Sequence, residues 1–246
     1  MGQDFSTWTT RTLRLLIGLA FGILVCARTI GRHLRRMGYR LIRPVLRIAS
    51  PDPYYLQKAA QLEELKEQAR RGEIILLFED EFDIHLLPGV TRCWTKQGQQ
   101  KKVPTPGKNA KRYGFGAVSF LTGALDFLVS EHKDSASFCA LVRLILKARA
   151  GDPRRIVLVM DNFGIHSSQI TQEELALHKD RLSVFFLPSY SPQLNLIERL
   201  WKQVRHKVTH NHLFESIEAT VRAVCRYIYY LKWTPTAVQS IISSPQ

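Results

Sequence analysis

Pro188-Ser189-Tyr190-Ser191-Pro192-Gln193-Leu194-Asn195-Leu196-Ile197-Glu198-Arg199-Leu200-Trp201-Lys202-Gln203-Val204-Arg205-His206-Lys207-Val208 is the stretch that decides the fold. Two prolines with serines between them make a loop that cannot be helix or central strand. Residues 194–208 then read as a helix, because Ile197, Leu200, Trp201, Val204 and Val208 fall on one apolar stripe. Glu198 lies in its first turn, three residues after Asn195. That spacing fits a capping box, in which Glu198 is structural; the same carboxylate could instead reach a metal. Trp201, at helical spacing, reads as a core side chain rather than a platform for base stacking. Lys202 and Arg205, one and two turns beyond Glu198, could hold phosphate or face solvent.

Upstream, the apolar run 183–187 is a strand feeding this loop. Two earlier runs, 74–78 and 156–160, have the continuous apolar character of strands covered on both faces. The first ends in Glu79, Asp80, Glu81 and Asp83, the second in Asp161-Asn162. Strand alternation puts Asp80 with Leu76 and Phe78, opposite Glu79 and Glu81, but leaves open which side holds a site. Further strands are expected at 92–95, 113–120 and 125–129, and helices at 135–150, 171–179 and 214–233. The order predicts a mixed α/β fold with its site at strand ends. Asp80, Asp161 and Glu198 then come from three separate elements. Carboxylates converging in this way suit Mg²⁺ or Mn²⁺, and a pair of such ions suits in-line phosphoryl displacement. Asp161-Asn162 equally suits a turn or a helix cap.

The rest of the chain points to a polyanionic partner. Its 246 residues carry 35 Lys and Arg against 21 Asp and Glu, a net charge of +14, so nucleic acid is the leading candidate. Residues 9–20 and 27–37 read as two helices about Gly22, the second ended by Gly38. Arg28, Arg32, Arg35, Arg36 and Arg40 lie on and after that second helix with no acid among them. A basic helix after a turn is what a helix-turn-helix lays into a DNA groove, although a solvated basic helix has the same pattern. Residues 39–48 read as an extended arm and 54–71 as a helix connecting head and core. A second basic segment, 96–112, contains Lys101, Lys102, Lys108, Lys111 and Arg112 and no acid. The uncharged run 15–27 is shorter than a membrane span and is broken by Gly18 and Gly22, so no membrane association is expected. Four cysteines without a CxxC pair suggest neither a zinc ribbon nor a disulfide framework, and fit a reducing compartment. His206, His210 and His212 have no Cys partner nearby and are not read as a zinc site. His166 could contact DNA or the site, although a lone histidine more often reads as structural.

Phe78-Glu79-Asp80-Glu81, Arg92-Cys93-Trp94 with Gly98, Asp161-Asn162 with His166, and the run from Leu187 to Trp201 together resemble the landmark blocks of mariner-superfamily bacterial insertion-sequence transposases. The last block is the most specific, and the core resemblance covers about residues 73–215. It implies a ribonuclease H-like core, a mixed sheet flanked by helices, preceded by a small all-α helix-turn-helix segment. It makes Asp80, Asp161 and Glu198 the catalytic metal ligands, with Mg²⁺ or Mn²⁺, two ions, as cofactor. The 36 residues between Asp161 and Glu198 match the compact spacing of such enzymes.

The implied activity is strand cleavage at the element's ends, followed by attack of the freed 3′-hydroxyl on target DNA. The implied partner is double-stranded DNA, both terminal inverted repeats and target, held by a homodimer in the bacterial cytoplasm at the nucleoid. The expected layout is a helix-turn-helix segment at 1–48, a helical linker at 49–72, the catalytic domain at 73–215 and a C-terminal helix at 216–246. Leu196 departs from the pattern, standing where proline is usual. Such proteins also carry a further helix-turn-helix ahead of the one seen here, which makes the head incomplete. The competing expectation is therefore a truncated, non-transposing protein that occupies transposon ends.

Overall fold

The computed structural model describes residues 8–42 and 50–243, in two compact units divided between Arg47 and Ile48. In the first unit, α1 (Thr10–Phe21) is capped by Thr9, whose hydroxyl accepts from the Thr12 N–H, and ends at Gly22 with φ 65°. Glycine takes that left-handed conformation without a Cβ penalty. After a short connection, α2 (Ala27–Arg36) packs on α1 through the buried Ile30 and stops before Gly38, φ 86°. The two expected helices are therefore present, to within a residue at their ends. Residues 39–42 have no regular structure, and the rest of the expected arm, 43–48, lies outside the described residues.

In the second unit, α3 (Tyr55–Arg70) buries Leu62 and Ala69 against β1 (Ile74–His85). Next come β2 (Lys111–Ser119), β3 (Leu125–Ser130), α4 (Ser135–Ala148), β4 (Arg155–Met160), α5 (Gln169–Leu177), β5 (Leu182–Phe186), α6 (Ile197–Val204), α7 (Ile217–Lys232) and α8 (Pro235–Ser243). The sheet order is β3-β2-β1-β4-β5. β1 is antiparallel to β2 and parallel to β4, β2 is antiparallel to β3, and β4 is parallel to β5. This is the expected ribonuclease H-like arrangement, a mixed sheet with helices on both faces.

Alternation along β1 divides the core. Leu77 packs with Phe138, Leu141, Val142 and Ile145 of α4 on one face. Leu76, Phe78, Phe82 and Ile84 pack on the other, with Ile197, Leu200, Trp201 and Val204 of α6 and with α7 and α8. Trp201, 1% exposed, stacks on Phe82 with ring centroids 5.3 Å apart, which confirms it as core. Gly116 of β2 makes room for the indole: a Cβ there would stand 2.6 Å from Trp201 Cη2.

Three local expectations fail. No strand forms over 92–95, which has no regular structure. The single helix expected over 194–208 is three pieces: a 3-10 turn at Pro192–Leu194, α6, and a π turn at Arg205–Thr209. The capping box is not made. Leu196 occupies the cap position with helical φ −66° and ψ −29°, and no side chain caps the helix. The sequence reading also overlooked α8, which Thr234-Pro235 signals, since proline favours the first helical position.

Candidate active site

Asp80 and Asp161 meet because of strand register. Phe78 pairs with Val159 across the parallel β1–β4 ladder. Two residues further along each chain stand Asp80 and Asp161, the first still in β1 and the second just past the end of β4. Parity sends Asp80 to the Phe78–Phe82 face, the one covered by α6. The open choice of side is thereby resolved in favour of the helix that carries Glu198. Asp80, Asp161 and Glu198 line one cleft of about 430 Å³, together with Asn162, Phe163, Asn195 and the loop Leu187–Pro192.

The cleft wall is fixed by polar side chains that tie its loop and helix to neighbouring backbone. The Asn195 amide donates to the Glu79 carbonyl at 2.7 Å, tying the start of α6 to β1. Asn195 Oδ1, the atom a cap would use, makes no hydrogen bond. Asn162 Nδ2 donates to the Leu187 carbonyl at 2.7 Å, and Ser50 Oγ donates to the Ser189 carbonyl at 2.6 Å. Tyr190 at the loop tip has φ 55° and is 68% exposed. Leu196 keeps the φ that proline would impose, so the departure noted in the sequence leaves the helix start in place.

The electrostatics are those of crowded carboxylates. Burial, then Glu198, Glu81 and Asp161, push the Asp80 carboxyl well above the usual range. Burial also disfavours ionised Asp161, but His166 and the Phe163 N–H, 2.8 Å from Oδ1, outweigh it and hold the group below its ordinary value. Arg205 reaches Glu198 at 3.6 Å while its guanidinium lies over Phe82, 5.3 Å from the centroid. An all-oxygen donor set whose members repel one another fits a hard divalent cation such as Mg²⁺ or Mn²⁺, which would relieve that repulsion.

The sequence profile of the DDE superfamily endonucleases matches residues 75–221, which contain all three acids. The chain belongs to that family. A winged helix-turn helix profile matches residues 4–58 of this DDE superfamily endonuclease. It is 34% identical over 229 residues to the insertion element IS630 uncharacterized 39 kDa protein of Shigella sonnei, covering 92% of this chain and 65% of that protein. It thus spans a little less than two thirds of the length of that relative. Its fold matches the Mos1 mariner paired end complex with Mn, with TM-score 0.65, 14% identity, and 97% of this chain and 73% of that one covered. It also matches the catalytic domain of Mos1 mariner transposase, with TM-score 0.52, 12% identity, and 82% and 93% covered.

The basic residues of this DDE superfamily endonuclease fall into separate groups. Arg28, Arg32, Arg35, Arg36 and Arg40 are all exposed on the first unit. Lys101, Lys102 and Lys108 are exposed on the irregular connection between β1 and β2. Lys111 and Arg205 line one hollow with His85 and His210. Arg112 is occupied by Glu131 at 3.0 Å and Glu218 at 3.2 Å, and Lys202 is exposed on α6. Among the described residues, no helix is long and apolar enough to cross a membrane.

Proposed function

We propose that this protein is the transposase of an insertion sequence, cleaving DNA at the ends of its element and joining the freed 3′-hydroxyl to target DNA. The observation that carries the reading is the convergence of Asp80, Asp161 and Glu198, from a strand, a strand end and a helix, on one cleft in a DDE superfamily endonuclease. In this reading those three acids are the catalytic metal ligands, and two ions are held. Bound Mg²⁺ or Mn²⁺ would supply Lewis acidity, favouring ionisation of an attacking water or hydroxyl and stabilising the leaving oxygen. The chain itself provides position. Asn195 sets the approach of α6 to β1, His166 and the Phe163 N–H keep Asp161 ionised, and Arg205 restrains Glu198.

The proposed division of labour gives 1–48 to DNA binding through a helix-turn-helix, 49–72 to a linker, 73–215 to catalysis and 216–246 to a C-terminal helical segment. Arg28, Arg32, Arg35, Arg36 and Arg40 would hold phosphates in the terminal repeats. Lys202 and Arg205 would do so near the cleft, and Lys101, Lys102, Lys108, Lys111 and Arg112 elsewhere on the second unit. A homodimer bridging two ends, working at the nucleoid, completes the proposal.

The test is incubation of the chain with duplexes taken from the two borders of its element, with Mg²⁺ or Mn²⁺. Cleavage at the border and joining of that end to a second duplex are expected. Binding without any cutting would overturn the proposal and favour the protein that merely occupies transposon ends.

A further inference from the structure

On the face of β1 opposite Asp80, a second cluster of ligand-type groups is shut away from solvent. Glu79 is 0% exposed, Glu81 8% and His166 1%, and one potential ligand atom from each lies within 4.8 Å of the others. His166 Nε2 stands 3.7 Å from Glu79 Oε2, 3.5 Å from Glu81 Oε1 and 3.5 Å from Asp161 Oδ1. Neither ring nitrogen of His166, neither carboxylate oxygen of Glu79, nor Glu81 Oε1 has a hydrogen-bond partner. Lys133 sits 3.4 Å from the other Glu81 oxygen, with its ammonium over the Phe163 ring. Phe138 closes the cluster from α4, its ring 4.7 Å from that of His166.

Leaving buried carboxylates and an imidazole without partners is expensive, so something must satisfy them. A proton on Nε2 points in one direction and serves one of three oxygens. A cation among them serves all three. With metal–ligand bonds of about 2.0–2.2 Å, a tetrahedral ion holds its ligands about 3.4 Å apart, close to the spacings seen around Nε2.

The geometry points to a second divalent-cation site made by Glu79, Glu81 and His166, on the face of β1 opposite Asp80. An imidazole among carboxylates suits Zn²⁺ or Mn²⁺ rather than Mg²⁺. Such an ion fixes His166, whose Nε2 stands 3.5 Å from Asp161 Oδ1, and neutralises two carboxylates that Lys133 alone cannot balance.

The experiment uses the full chain carrying Asp80→Asn and Glu198→Gln, titrated calorimetrically with Zn²⁺ and with Mn²⁺, alongside melting curves and Co²⁺ absorption. One equivalent of Zn²⁺ is expected to bind and raise the melting temperature, with the intense visible bands of tetrahedral Co²⁺. Adding His166→Gln should weaken binding at least about tenfold, as even the loss of an outer-shell partner does. If that variant does not fold, Glu81→Gln is expected to give the same weakening. Absence of stoichiometric binding overturns the assignment. So does binding that survives both substitutions, which would belong to surface histidines such as His206 and His210. Either failure leaves the cleavage assay for the cleft acids untouched.

Discussion

Gly116→Ala is the perturbation that best links packing to the site. Gly116 is the β2 residue directly opposite Asp80. A Cβ built on it would stand 2.6 Å from Trp201 Cη2, 2.8 Å from Cζ2 and 3.4 Å from Ile197 Cδ1. Carbon atoms pack at about 3.5–4.0 Å, so the indole must retreat by about 1 Å. It has nowhere free to go, with Phe82 stacked on one side and Phe127 5.9 Å away on another. Overpacking of this kind costs about 1–3 kcal/mol. Replacing a strand glycine returns about 0.5–1 kcal/mol of backbone entropy, so a net loss of up to about 2.5 kcal/mol is expected. Glu198 lies one turn before Trp201 on α6, and a 1 Å displacement of a reacting geometry costs about 100-fold in rate. Urea denaturation followed by tryptophan emission reads the first effect. Trp8, Trp94 and Trp233 are exposed, so the blue-shifted signal reports Trp201. Single-turnover cleavage reads the second, and Trp201→Phe in the same chain should recover part of both losses, its stability followed by circular dichroism because the reporting indole is gone. Unchanged stability, within about 0.3 kcal/mol, together with full cleavage would refute the claim that Trp201 transmits β2 packing to Glu198.

Arg149→Met should destabilise the chain by about 3–5 kcal/mol in chemical denaturation, because it strands Asp126. That pair is 2.7 Å apart with side chains 11% and 9% exposed. A loss below about 1 kcal/mol would contradict a buried pair. In metal-free buffer, burial followed by Glu81, Asp80 and Asp161 raises the Glu79 carboxyl well above its ordinary range. The folded chain therefore holds a proton there that the unfolded chain releases, and this contribution is lost as pH rises towards the folded value. The stability advantage of Glu79→Gln over wild type should thus widen between pH 5 and 8 in the presence of EDTA; a constant difference would refute the shift. DNA affinity should fall steeply with salt, and replacing Arg28, Arg32, Arg35 and Arg36 with Ala should flatten that slope by roughly one for each phosphate no longer neutralised. A slope unchanged by the four substitutions would remove α2 from the DNA interface.

The sequence made the sheet legible because its strands are strongly apolar and end in acids, and because glycines and prolines punctuate the connections. The pairing of Asp80 with Asp161 followed from two similar strands, although the face remained open until α6 was seen to cover the Phe78 side. Local pattern misled where a side chain's partner lies far away in sequence. Asn195 has the spacing of a cap, but its amide nitrogen ties α6 to the Glu79 carbonyl, 116 residues away, and its Oδ1 caps nothing. The strand expected at 92–95 had adequate composition, yet the segment pairs with no strand of the sheet. His166 read as structural because it stands alone in sequence; the glutamates around it come from β1, and parallel pairing alone brings them near.

The central claim is that three acids act together in one cleft. Its most direct test is single-turnover cleavage of border DNA by Asp80→Ala, Asp161→Ala and Glu198→Ala, with Asp83→Ala as a control on the same strand and DNA binding measured in parallel. The account predicts that each of the first three abolishes cleavage while binding is largely retained, and that Asp83→Ala cuts normally. Cleavage near the wild-type rate by any one of the three would contradict it.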